Sequence, residues 1–186
     1  MTTHDAPHRL AFGVALDNQR VGFAVLDHEQ LHAFAVSDVW KGERLAGGRL
    51  EYFERSLQRR LALYRPTHIA IVRPVLPSAY VDRCVERLEQ EARRLHAHVV
   101  PYSRFELKAS KLSGGRKYTD LMARLALRHP ELRRRFRVRQ EIPGYRGILS
   151  AHERYNRQLF LAVAAAEQAL ADDLMQEAPT PVSTSL

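Results

Sequence analysis

A chain of 186 residues, 45% of them apolar, is long enough for one hydrophobic core and short for two, which excludes disordered and collagen-like classes. No run approaches the ~18 apolar residues that a membrane span needs, and the polar stretch from Met1 to His8 is unlike a secretory signal. The single cysteine, Cys84, forms no internal disulfide and fits a reducing compartment, so a cytoplasmic protein that does not engage membranes is expected.

The elements follow in chain order. Leu10–Asp17, Val21–Leu26 and Leu31–Val36 are short apolar runs separated by polar turns, and predict an antiparallel meander. Leu50, Phe53, Leu57, Leu61 and Tyr64 recur at helical spacing until Arg65-Pro66 ends the helix. His68–Val72 reads as a buried strand. A second helix begins near Ser78, a good N-cap, with the stripe Val81, Cys84, Val85, Leu88, Ala92, Leu95. His98–Tyr102 is a fifth strand, Ser103–Ala109 a short helix, and Lys117–Arg128 a longer one. The stretch 129–150, with Pro130, Pro143, Gly144 and Gly147, is expected to be irregular and mobile. A closing helix covers about 151–175. One domain over 10–176 is therefore expected, with a flexible start at 1–9 and a disordered tail at 177–186. Its fold class is α/β: a mixed five-stranded sheet, three antiparallel strands then two parallel, flanked by helices.

The net charge of +8 is concentrated. Residues 104–157 hold 15 of the 29 Lys and Arg but 5 of the 21 Asp and Glu, a local balance of +10 against −2 for the remainder. Clustered positive charge suits a polyanion, because each neutralised phosphate releases condensed counterions. Lys108, Lys111, Arg116, Lys117, Arg134, Arg135 and Arg137 are the candidate nucleic-acid contacts. Tyr80, Tyr118 and Tyr145 lie near basic residues and are candidates for stacking on unpaired bases. No Cys or His pair has zinc-finger spacing, and Gly114-Gly115-Arg116-Lys117 lacks the Walker pattern of nucleotide hydrolysis.

Four stretches in order carry a resemblance: Val14–Val25 with Asp17 and Gly22, Arg49–Ile71 with its Arg-Pro before a strand, Val99–Lys108, and the Gly-Lys loop Leu112–Lys117. This set resembles the ribonuclease H-like superfamily in its RuvC branch, the Holliday-junction resolvases. The resemblance implies a two-Mg²⁺ site held by several carboxylates, because hard divalent cations take oxygen ligands. Asp17 matches the first-strand acid and is the candidate metal ligand. The acid expected after the fourth strand is replaced by Val72, followed by Arg73, a cation placed to repel Mg²⁺ or to pair with Asp17. The closing-helix acids are replaced by Leu161-Ala162-Val163-Ala164, with Gln158 one turn earlier.

The site is thus expected to be degenerate, with no cofactor, in a protein that binds branched DNA, or RNA, without cutting it. An active Mg²⁺-dependent endonuclease would need Asp17 and a displaced acid, of which Glu153 beside His152 is the first candidate. Asp38, Glu51 and Glu54 are weaker ones, and Asp27 lies at the wrong end of its strand. A scaffold subunit of a nucleoprotein complex is the third reading. RuvC-like proteins use the helix equivalent to 78–96 for a two-fold dimer, so the resemblance also implies a homodimer.

Overall fold

The computed structural model describes residues 9–28, 30–38, 48–110, 117–136 and 151–177, with side chains over 154–175 of the last segment. Five strands form one sheet: β1 (Ala11–Leu16), β2 (Arg20–Leu26), β3 (Leu31–Asp38), β4 (His68–Arg73) and β5 (His98–Ser103). Their order is β3-β2-β1-β4-β5. The first three pair antiparallel, while β4 and β5 run parallel to β1. This is the sheet expected from the sequence. Central position explains why β1 is apolar throughout, since both of its faces are covered and all six residues are buried.

Strand periodicity gives the two faces different side chains. Phe12, Val14 and Leu16 of β1 project with Phe23 and Val25 of β2 and Ile69 and Ile71 of β4 toward one layer. There they meet α1 (Gly48–Tyr64) through Phe53, Leu57 and Leu61, and α2 (Ala79–Leu95) through Val81, Cys84, Val85, Leu88 and Ala92. Ser78 caps α2, its hydroxyl accepting from the Val81 N–H at 3.4 Å. Burial in this layer pushes the Cys84 thiol up to about 12, so it packs as a small apolar group rather than a nucleophile.

On the other face the strand residues are small. Ala11, Gly13 and Ala15 of β1 neighbour Ala24 and Gly22 of β2 and Ala70 of β4. Against them lies α5 (Ala151–Glu177), itself lined with Ala162, Ala165, Ala166 and Ala169. The approach is so close that a Cβ on Gly13 would stand 1.9 Å from the Ala162 carbonyl oxygen, and one on Gly22 would stand 2.2 Å from the Gln158 carbonyl. Bulky residues on one face and small ones on the other therefore set helix distance. The register of α5 on the sheet follows from the two glycines.

Around α5 sit α3 (Arg104–Ala109) and α4 (Tyr118–Arg128), followed by a 3₁₀ turn over Pro130–Arg134. Part of the stretch expected to be irregular is therefore ordered. Pro130 opens the turn, Leu132 is buried, and Phe136 meets Phe160 edge-on with ring centroids 6.1 Å apart. Residues 137–150 lie outside the described residues, as do 1–8 of the start expected to be flexible (1–9) and 178–186 of the tail expected to be disordered (177–186).

α2 and β4 bear on two of the expectations. The α2 stripe is spent on the core, with Leu95 partly buried beside it, and the outward face carries Asp82, Arg83, Glu86 and Arg87. Any pairing through α2 would be polar. Arg73 follows the buried Val72 and so falls on the opposite face, where it pairs with Glu89 of α2 at 3.2 Å. It does not reach Asp17. Among the described residues no helix is long and apolar enough to cross a membrane.

Candidate nucleic-acid interface

The C-terminal ends of β1, β4 and β5 lie side by side, and β1 hands over to Asp17 at this edge. The turn 17–20 is closed by the Asp17 N–H donating to the Arg20 carbonyl at 3.0 Å. One carboxylate oxygen, Oδ1, accepts from the backbone N–H groups of Gln19 and Arg20 at 2.8 and 2.6 Å. Such self-capping is ordinary chemistry for an Asp in a tight turn. The other oxygen, Oδ2, accepts from Gln158 Nε2 at 2.5 Å and lies 3.7 Å from Arg157 Nη2. Both partners come from α5, and Gln158 reaches Asp17 because α5 rests on Gly22 at that residue.

The face that Asp17 shares with Ala15 continues to Val72, which pairs with Ala15 and is fully buried. No oxygen ligand comes from that position. Beyond it, Ser103 and Glu106 cap α3 reciprocally, the Ser103 hydroxyl accepting from the Glu106 N–H at 3.1 Å and the Glu106 carboxylate from the Ser103 N–H at 2.5 Å. This fixes Arg104 at the first position of α3. Its Nη2 donates to the Leu16 carbonyl at 3.2 Å, reaching from beyond β5 across the end of β4 to β1. Burial lowers the Arg104 guanidinium from its ordinary value, and the nearby Arg157 adds to that against the opposing pull of Tyr118 and Asp17. It remains a cation at physiological pH.

These residues do not fit a pair of divalent cations. Of the acids that the described residues bring to this edge, Asp38 and Glu106 are held by Arg20 and by the Ser103 N–H, and the acceptor sites of Asp17 are taken by three N–H donors and a guanidinium. Among the described residues no group of three or more His, Cys, Asp and Glu stands in metal-binding proximity. The other candidate acids are committed elsewhere. Asp38 pairs with Arg20 at 3.3 Å and accepts from the Tyr155 hydroxyl at 3.4 Å. Glu51 pairs with Arg55, Glu54 with Arg87, and Asp27 with His32. Glu153 lies in the first turn of α5, and its side chain, like that of His152, falls outside the described residues.

Cations and rings collect beside Asp17. Lys108 Nζ lies 4.8 Å from the ring centroids of both Phe105 and Tyr118, and the Arg157 guanidinium lies 5.6 Å from that of Tyr118. Phe105 is 64% exposed, which makes it the accessible ring of the group. Tyr80, by contrast, packs partly buried in the α1–α2 layer with its hydroxyl at Cys84. Lys117 begins α4, its N–H donating to the Asp120 carboxylate at 3.2 Å. Arg134 and Arg135 are exposed, and the Arg135 carbonyl accepts from Asn156 Nδ2 at 3.4 Å, one residue from Arg157. Lys111, Arg116, Arg137 and Tyr145 lie outside the described residues.

Sequence reasoning missed Arg104, Arg157 and Phe105 as members of this edge. The signal for Arg157 was its place beside Gln158 on the helix facing Asp17. For Arg104 it was its position directly after an edge strand, at the same end of the sheet as Asp17.

No family model matches the sequence, and no curated protein matches it. Solved structures do match the fold. RuvC of Thermus thermophilus in complex with a Holliday junction substrate superposes with a TM-score of 0.64 at 14% identity, covering 90% of this chain and 97% of that one. A second T. thermophilus RuvC structure gives 0.61 at 14% identity over 89% and 96%. Together with the mixed five-stranded sheet and its closing helix, this shows that the chain has the RNase H-like fold in its RuvC form.

Proposed function

We propose that the chain binds branched nucleic acid, four-way DNA junctions before RNA, at the basic edge around Asp17, and holds it without cutting it. The observation that carries this is the state of the Asp17 carboxylate, tied by Gln158, Arg157 and two backbone N–H groups where a nuclease needs free oxygen ligands. The strong basic bias of 104–157 supports a polyanionic partner. The T. thermophilus protein of the same fold is described with a Holliday junction, which supports the branched form of that partner.

Binding is tested with a labelled four-way DNA junction against a linear duplex, in EDTA, across a range of salt. Tight, strongly salt-dependent binding with preference for the junction is expected. Replacing Lys111, Arg116 and Lys117 by Gln together weakens it and flattens log K against log salt by about one unit per lost phosphate contact. Absence of junction binding rejects the reading, and an unchanged salt slope rejects the loop as a phosphate contact.

A homodimer belongs to the same proposal, since two copies address two arms of a junction. With the apolar stripe of α2 buried, pairing there would use the charged face and weaken with salt. Light scattering at tens of micromolar in low salt should give twice the chain mass, and a monomer rejects the dimer.

A further inference from the structure

The corner at the end of β1 holds more positive charge than its carboxylate answers. Arg104 and Arg157 are both drawn into it, one against the Leu16 carbonyl and the other against Asp17 and the Tyr118 ring. Asp17 carries one negative charge against these two permanent cations, so it offsets them incompletely. Each guanidinium also keeps its Nε buried with no hydrogen-bond partner among the described residues. Dehydrated N–H donors without an acceptor cost free energy, and the acceptor that matches two guanidinium forks is an oxyanion with several oxygens. A phosphate in a strand fits better than a carboxylate here, because Lys108 stands beside the exposed Phe105 ring, which offers a base a stacking surface.

We propose that Arg104 and Arg157 form a phosphate site at the end of β1 that takes one backbone phosphate of a nucleic-acid strand without a divalent ion. The two guanidinium groups supply the positive charge for that phosphate as fixed side chains. Asp17 acts as their counter-ion and holds Arg157 in position. The identity of the ligand as nucleic acid rests on the function proposed above, whereas the phosphate chemistry of the corner does not.

The test uses the full chain with Arg104→Met and Arg157→Met, which keep much of the aliphatic stem, after circular dichroism confirms folding. Each should weaken four-way junction binding in EDTA by about tenfold and flatten the salt slope by about one unit. Asp17→Asn keeps an acceptor for the turn and should tighten binding severalfold. Both arginine variants folding and binding with wild-type affinity and slope would overturn the site, as would an equally large loss in Asp17→Asn. A second readout separates this site from the function it rests on. Inorganic phosphate titrated into the wild type should shift the Arg104 and Arg157 Nε–H resonances in NMR. If the wild type ignores junctions yet these resonances shift, the function fails and the site stands; if they do not shift, the site fails.

Discussion

Replacing Gly22 by alanine lowers stability by about 3 kcal/mol or more, at the upper end of what overpacking costs. The added Cβ would stand 2.2 Å from both the carbonyl carbon and oxygen of Gln158 and 2.5 Å from the Leu159 nitrogen. Those are backbone atoms of a long helix, so no side chain can swing aside. Gly13→Ala meets the Ala162 carbonyl oxygen at 1.9 Å and should cost as much. For a chain of this size the melting temperature should fall by roughly 6–12 °C in either variant. Gly48, whose φ is 76° and whose added Cβ meets nothing within 4 Å, is the control. Gly48→Asn should change stability by less than about 1 kcal/mol, since Asn accepts the left-handed region. The Gly22 variant should also separate Gln158 from Asp17, because the displaced helix segment is the one that carries Gln158. Thermal unfolding of the three variants checks the ranking. Equal melting temperatures would mean that α5 does not rest on the sheet as described.

The fold was legible because its two signals are strong and local. Apolar runs bounded by polar turns marked all five strands, and the helical spacing of Leu50–Tyr64 and Val81–Leu95 marked α1 and α2. The alternation of small and large residues in β1, Ala-Phe-Gly-Val-Ala-Leu, already encoded which face takes the close helix. The Pro130 turn was harder to read. Its order comes from Leu132 and Phe136 packing on the rest of the fold, a tertiary contact with no local pattern.

At the site, Asp17 was legible from its place at a strand end, and the apolar Val72 and Leu161–Ala164, where the resemblance led to an expectation of acids, were read directly from the sequence. Arg73 was misplaced by reading sequence adjacency as spatial adjacency. Strand alternation puts it on the α2 face once Val72 is assigned to the α5 face. Arg104 depends on β4 and β5 lying in that order, so only the assembled sheet brings it to Leu16. Gln158 was noted one turn ahead of the expected acids, yet its contact with Asp17 depends on the seating of α5 at Gly22.

On the function proposed above, the charge at the Asp17 corner opposes a two-metal site. A two-metal mechanism brings about four positive charges within a few Å and needs carboxylates to offset most of them. Here Asp17 contributes one negative charge, and Val72 and Gln158 contribute none. Arg157 and Arg104 already bring two positive ones to the same place. Adding Mg²⁺ to that arrangement meets repulsion from the guanidinium groups and competition for Oδ2. Junction affinity is therefore expected to be insensitive to replacing EDTA by Mg²⁺ or Mn²⁺ at constant ionic strength. Holding ionic strength fixed matters, because divalent ions also screen phosphates. The decisive measurement incubates a labelled four-way junction with the wild type and with Asp17→Asn in Mg²⁺ and in Mn²⁺, and scores bound and nicked DNA side by side. Both proteins should bind, and neither should produce a cut strand. Nicking by the wild type that is abolished in Asp17→Asn would contradict the account at its centre.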